Sequence, residues 1–363
     1  MKIAFDFQAF AMQRYGGVSK YFVELAKHLS LKDEEVRVFA PFHQNNNLQE
    51  AENLQKSGIY FRSFPKHSGP IVRTLNRFFV SPQLKNWQPD ILHETYFSSY
   101  SYLNLKVAKI VTIYDMIHEL FPSSFLKRDN TIKIKKNAID RVDRIICISE
   151  STKNDLLSFY QIPEDRITVI HLGVHLPEEN KYAKPIEAPY LLYVGQRGGY
   201  KNFEGFIKAV SKSKNLKNDF NIVAFGGKPF SKSELSMIAQ FGLDLNRVSQ
   251  VSGNDQLLGA YYHGALAFVF PSYYEGFGLP PLEAMSFGCP VVSSNRSSMP
   301  EVIGNAGEYF DPTSLESIQS SIEKVVYSNE YRNSLIEKGN ARIKLFTWQQ
   351  CASKTLGVYR NAV

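Results

Sequence analysis

Cysteine is scarce in this chain: Cys147, Cys289 and Cys351 are its three cysteines in 363 residues. Their spacing gives neither a disulfide framework nor a Cys-x-x-Cys metal clip, so a reducing compartment is the expectation. Apolar runs stay well short of the ~18 residues that a membrane-spanning helix needs. Met1 to Phe10 is patterned as a strand and lacks the basic start and long apolar stretch of a signal peptide. A soluble cytoplasmic protein is therefore the default expectation. His-Glu-x-x-His, a nucleophile elbow, a P-loop and a nicotinamide-type Gly-x-Gly-x-x-Gly in a convincing context are also missing. Zinc-finger, RRM and KH signatures are absent too, which argues against nucleic acid as the partner of a chain with net charge +7. Small anions such as phosphates, or an anionic membrane surface, remain open as partners of that charge, as does a merely solvated surface.

What is present is an ordinary globular composition, 44% hydrophobic and 21% charged, long enough for about two domains. The first half alternates strand-like and helix-like segments. Strands are expected at Lys2 to Phe7, Val36 to Ala40, Ile91-Leu92, Val107 to Ile113, Arg144 to Ile148 and Ile167 to Ile170. Val18, Tyr21, Phe22, Leu25, Ala26 and Leu29 recur at helical spacing, and Ser151 to Phe159 reads as a further helix. Leu176 to Pro189 then shifts to Pro, Glu, Lys and Asn without periodicity, as a linker does. The βα pattern restarts with strands at Tyr190 to Val194, Asn221 to Phe225, Val248 to Val251, Leu266 to Phe270 and Pro290 to Ser293, and Asn202 is placed to cap a helix. The expected division is an N-terminal Rossmann-like domain at 1–176, a linker at 177–189, a second Rossmann-like domain at 190–345, and a C-terminal helix at 346–363 crossing back to the first. Two such α/β domains place a ligand cleft at the carboxyl ends of their strands.

The densest chemical signal is FPSYYEGFGLPPLEAMSFGCPVVSS, Phe270 to Ser294. Gly276 and Gly278 leave the backbone bare for a close ligand. Pro280 and Pro281 suit a first helical turn, and Gly288 suits a helix end. A glycine loop feeding a helix N-terminus is an anion site. Glu275 and Glu283 flank it with seven residues between them. A second patch, Tyr193-Val-Gly-Gln-Arg-Gly-Gly-Tyr-Lys-Asn202, runs from a strand end to a helix start and brings Arg197 and Lys201. An Arg and a Lys on one loop are what a leaving diphosphate needs.

The segment EGFGLPPLEAM resembles the E-x7-E signature of retaining glycosyltransferases of the GT-B fold, in particular the large family 4 group. The likeness runs from Lys2 to about Trp348. It includes Arg197, Lys201 and the flanking Gly195 and Asn202, the glycine loop Tyr15-Gly16-Gly17, the strand end Cys147-Ile-Ser-Glu-Ser151, the crossing His171-Leu-Gly-Val174 and Met299-Pro-Glu301. It implies the GT-B architecture, with two Rossmann-like domains facing each other across a cleft. It also implies transfer of a hexose, with retention, from a nucleotide-diphosphate sugar, with UDP-glucose the favoured donor. The acceptor is then a hydroxyl of a glycan or lipid-linked glycan in polysaccharide biosynthesis. By the same resemblance Glu275 lies near the donor sugar and Glu283 grips the ribose. Gly276, Phe277, Gly278 and Leu279 approach the donor through backbone, Gly16 and Gly17 let the donor phosphates or the acceptor approach theirs, and Ser252 borders the base. No metal or other cofactor is expected, because no Asp-x-Asp pair occurs and basic residues with a helix N-terminus stand in for the ion.

One departure from the family concerns the His-Asp pair that many relatives carry after the strand at Val107 to Ile113. Here Tyr114-Asp115 stand there, with His118 three positions on. Asp115 or His118 takes over, or no base is used; His93 at another strand end is a further candidate. Two alternatives to the enzyme stay open at this level, a non-catalytic binding protein and a GT-B sugar epimerase. On the acceptor side, Tyr60 to Val80 interleaves aromatics with Arg62, Lys66, Arg73 and Arg77, and Lys127 to Arg141 adds further cations. These stretches read either as a solvated basic face or as a surface for weak peripheral contact with an anionic inner-membrane face.

Overall fold

The computed structural model describes residues 1–363 except 101, 103, 104, 127 and 178–181. Lys127 of the second basic stretch and 178–181 of the expected linker thus lie outside the described residues. The chain forms two compact units: Met1–Gly173 with Trp348–Val363, and Val174–Thr347.

Unit 1 holds a seven-stranded sheet. Its strands are β1 (Lys2–Phe5), β2 (Glu35–His43), β3 (Gln55–Tyr60), β4 (Ile91–Glu94), β5 (Ala108–Ile113), β6 (Arg144–Cys147) and β7 (Ile167–Val169). Their order is β3-β2-β1-β4-β5-β6-β7, and every pairing is parallel. Parallel strands covered on both faces must be apolar throughout, and Ile3, Ala4 and Phe5 are fully buried. The edge strand β3 (QKSGIY) was not visible in the sequence, because an edge strand with one solvated face keeps polar residues and shows no apolar run. The helix Gly69–Trp87 was equally hidden. It buries Val72, Val80 and Leu84 on a narrow stripe but exposes Ile71, Leu75, Phe78 and Phe79, so apolar residues lie on both faces and blur the period.

The C-terminal helix Trp348–Arg360 belongs to unit 1 and buries Trp348, Cys351, Leu356 and Tyr359. Tyr359 meets His93 of β4, Oη to Nδ1 at 2.6 Å, while the other ring nitrogen of His93 meets Thr112 Oγ1 at 2.9 Å. His93 is fully buried with both nitrogens engaged, and burial pushes its pKa down to about 3. It is a core group joining helix to sheet, which corrects its candidacy as a ligand-facing base.

Unit 2 holds six parallel strands in the order β10-β9-β8-β11-β12-β13. These are β8 (Tyr190–Val194), β9 (Asn221–Phe225), β10 (Val248–Val251), β11 (Ala267–Phe270), β12 (Val291–Ser294) and β13 (Gly307–Phe310). The order reverses at β8, between β9 and β11, the topological switch point at which open α/β sheets bind ligands outside the carboxyl ends of their strands. The loops that follow β8 and β11 carry Arg197, Lys201 and Glu275.

Candidate functional site

Two loops build the site in unit 2, and backbone geometry shapes both. After β8 the chain turns at Gly195 (φ 125°) and Gly199 (φ 58°), conformations that side chains rarely adopt. Open space lies beside both positions. Asn202 follows in the left-handed region (φ 53°) at the start of the helix Phe203–Lys212, and its side chain makes no cap. Instead its amide donates to the carbonyls of Pro271 (3.1 Å) and Pro312 (3.0 Å). The expected helix cap is thus a tie between the loop after β8 and the loop after β11.

The second loop enters the helix Leu279–Ser286 through Gly278 (φ 96°). A Cβ at Gly278 would stand 2.4 Å from Met299 Cε, the free end of a flexible side chain, so it is the left-handed backbone that calls for glycine there. Pro280 and Pro281 occupy two of the four positions whose N–H groups lack intrahelical partners. The anion-binding capacity of this helix end therefore falls to the amides of Gly278 and Leu279. At the far end, Gly288 N donates to Met285 O (3.0 Å) and Cys289 N to Ala284 O (2.9 Å), with Gly288 left-handed. This is a Schellman closure. The loop is gripped from a turn that the sequence reading left unassigned. Ser297 and Ser298 donate to Glu275 O at 2.6 and 2.7 Å, and Ser298 also reaches Phe277 O at 2.9 Å. Serines adjoining a helix start read as caps, so nothing in the pattern signalled this second use.

Lys201 and Glu275, 74 positions apart, meet at 2.6 Å (Nζ to Oε1), with side chains 20% and 12% exposed. Lys201 Nζ also lies 5.3 Å from the Tyr200 ring centre and 5.8 Å from that of Phe270. The two sequence patches are therefore one place. Arg197 is spoken for differently. Its Nε donates to Glu234 Oε1 at 2.7 Å, its Nη2 to Lys228 O at 2.7 Å and its Nη1 to Gly226 O at 3.3 Å. Its side chain is 6% exposed and stacks 4.6 Å from Phe230. The Arg197 hydrogen bond is the main reason the Glu234 carboxyl falls to about 2. Arg197 thus fastens the loop after β8 to the loop after β9.

Glu283 is half-buried on the helix Leu279–Ser286, and the Tyr262 hydroxyl lies 3.4 Å from its Oε2. Tyr262 is fully buried, and burial together with the Glu283 charge raises its pKa well above the usual value. Sequence reasoning missed Tyr262, since a tyrosine inside an apolar helix reads as core. Ser252 is exposed after β10, donating to Gly227 O at 3.3 Å and accepting from Gln250 Nε2 at 2.7 Å.

The remaining candidates lie in unit 1. Gly16 is extended (φ 171°) at the start of the helix Gly17–Ser30, where a Cβ would collide with the Gln13 side chain at 2.3 Å. Nothing stands within 4 Å of a Cβ at Gly17, so open space faces that turn. Asp115, after β5, accepts from Ile117 N at 3.1 Å. His118 stacks on Phe125 at 3.9 Å, with Nε2 3.7 Å from Asp129 Oδ2. No group of three or more His, Cys, Asp or Glu suited to holding a metal occurs among the described residues.

Two sequence families divide the chain between them. Residues 15–177 match the model of Glycosyltransferase Family 4, and residues 177–342 match that of Glycosyl transferases group 1. The chain belongs to glycosyltransferase family 4. It is 26% identical over 370 residues to O-antigen chain mannosyltransferase B of Escherichia coli, covering 95% of this chain and 96% of that one. The fold is GT-B. Sucrose-phosphate synthase from Thermosynechococcus elongatus superposes with a TM-score of 0.77 at 18% identity, over 99% of this chain and 98% of that one. The Anabaena HepE structure, in complex with UDP and glucose, superposes at 0.74 with 16% identity, over 98% of this chain and 99% of that one. This family 4 glycosyltransferase has no helix long and apolar enough to cross a membrane among its described residues.

Proposed function

We propose that unit 2 binds a nucleotide-diphosphate sugar and that the protein moves its hexose, with retention, to a hydroxyl of a glycan or lipid-linked glycan held by unit 1. The observation that carries this reading is the Lys201–Glu275 contact at 2.6 Å. It places an ammonium beside the glycine loop that starts the Glu283 helix, as a departing diphosphate requires. In the proposed step the bond from the anomeric carbon to the diphosphate oxygen breaks through an oxocarbenium-like centre. Lys201 and the amides of Gly278 and Leu279 take up the charge. The acceptor oxygen bonds to the same face, and its proton passes to the leaving phosphate. Glu275 faces the hexose hydroxyls, and Glu283, steadied by Tyr262, accepts from the ribose hydroxyls. Arg197 positions the loop that carries Lys201. The scheme uses no metal and, because the phosphate takes the proton, needs neither Asp115 nor His118 as base.

The similarity to an O-antigen mannosyltransferase along 95% of the chain favours mannose as the transferred hexose over the glucose expected from the sequence. The experiment is turnover of GDP-mannose, UDP-glucose, UDP-galactose and ADP-glucose with released nucleoside diphosphate as readout, in EDTA and in magnesium. One donor turned over equally in both conditions is the expected result. Turnover that vanishes in EDTA and returns with magnesium would contradict the scheme.

A further inference from the structure

The longest helix of unit 1 borders a cavity that the transfer step does not use. Gln8, Pro70, Arg73, Arg77, Ser98 and Tyr100 are among the residues that line its space of about 300 Å³. Arg73 and Arg77 are exposed and one turn apart on the helix Gly69–Trp87, so both present to one side of it. Among the described residues neither has a carboxylate partner, and Arg77 lies over the Tyr100 ring at 4.5 Å. Two guanidiniums without carboxylate partners at the lining of one cavity create a field that favours an anion.

The acidic groups behind this cavity are already committed. Glu94 is held by Arg141, through Nε at 3.1 Å and a second bond from Nη2. Arg141 in turn donates to Ser98 O (2.5 Å) and Ser98 Oγ (2.7 Å), which fixes the cavity wall. Asp6 accepts from Thr95 Oγ1 (2.7 Å), Thr95 N (2.9 Å) and Gln8 Nε2 (2.9 Å). The carboxylates therefore point into the network beneath, and the guanidiniums are left to the cavity. Phe97 and Ile134 add apolar lining. Next to the cavity, the same helix exposes Ile71 (64%), Leu75 (42%) and Phe78 (72%).

We propose that Arg73 and Arg77 form a second anion site of this protein, separate from the donor site of unit 2, that takes the phosphate ester of the acceptor molecule. Guanidinium forks match phosphate oxygens two at a time. The proposal rests on the glycosyl-transfer reading for its use, and its binding test does not depend on that reading.

The test is equilibrium binding of two probes, farnesyl diphosphate for a lipid source and mannose 1-phosphate for a free one. Each is titrated into the Lys201→Ala protein and into wild type with saturating GDP or UDP, so that the donor site does not contribute. The expected result is saturable binding of one probe, weakened ~10-fold or more by Arg73→Gln or Arg77→Gln alone and further by both together. Nucleoside diphosphate affinity and Tm stay unchanged in these variants, as exposed positions predict. Tighter farnesyl diphosphate identifies a lipid-borne phosphate, and tighter mannose 1-phosphate a free sugar phosphate. Absence of binding for both probes, or equal binding in wild type and the double variant, overturns the site. Binding lost in the double variant of a protein that takes up no nucleoside diphosphate would keep this site and sink the donor reading.

Discussion

Removing the Lys201 ammonium separates its use from its structural partner. In Lys201→Ala the Glu275 carboxylate, 12% exposed, loses the ammonium that lies 2.6 Å away. Two unit charges at that separation attract by roughly 6 kcal/mol at an effective dielectric of 20, and desolvation cancels most of it. A net loss of about 1–2 kcal/mol is expected, a fall in Tm of roughly 2–8 °C for a unit of this size. The functional loss is larger, because the same ammonium meets charge that develops only as the diphosphate leaves. Loss of one such donor costs ~100-fold or more in kcat. The discriminating assay is the ratio of nucleoside diphosphate to monophosphate affinity, by calorimetry. Lys201→Ala should lower that ratio by ~10-fold or more, whereas Glu275→Gln, which releases Lys201 from its partner, should leave it the same or raise it. The Glu275 variant should lose turnover instead. If both variants lower the ratio equally, the pair is a structural unit and the assignment of Lys201 to the diphosphate is refuted.

Glu283→Ala should weaken nucleotide binding by ~10-fold or more, with Tyr262→Phe intermediate, since a charged hydrogen bond is worth ~1.5–3 kcal/mol; unchanged nucleotide affinity in the Glu283 variant would remove its ribose role. Arg197→Ala should lower both Tm and turnover, and Glu234→Gln should reproduce much of that effect without touching the diphosphate; full activity of the Glu234 variant would mean that Arg197 acts on substrate directly. Burial holds the His93 pKa near 3 in the fold against 6.5 unfolded. The unfolded chain therefore binds the extra proton between those values. The stability that neutral His93 contributes is complete above pH 6.5 and is lost as pH falls. Between pH 6.5 and 5 the wild type should lose about 2 kcal/mol that His93→Asn does not, measured by urea unfolding; parallel pH curves would contradict a buried neutral His93.

The central strands of both sheets were legible because a strand covered on both faces must be apolar along its whole length, as in Tyr190 to Val194. The edge strands β3 and β13 were not, because QKSGIY and GEYF keep polar residues on a half-solvated face. The backbone of the candidate site was legible where glycine and proline fix it, at Gly278 to Pro281. It was illegible where long-range contacts decide a side chain's partner. Nothing local distinguishes Arg197, drawn to Glu234 37 positions away, from Lys201, drawn to Glu275. Asn202 shows the same limit. Its place before a helix predicts a cap, yet two carbonyls from distant loops compete for its amide and win. Ser298 and Tyr262 carry no local signal at all.

The central claim is that unit 2 is a nucleotide-diphosphate site built on Lys201 and Glu283, and direct titration tests it. Wild type and the Lys201→Ala/Glu283→Ala double variant are titrated with UDP, GDP, ADP and dTDP by calorimetry, without added metal. The account predicts saturable binding of one nucleotide to wild type and a loss of ~100-fold or more in the double variant, two charged contacts each worth at least tenfold. Binding of none of the four at millimolar concentration, or equal binding to both proteins, would contradict it.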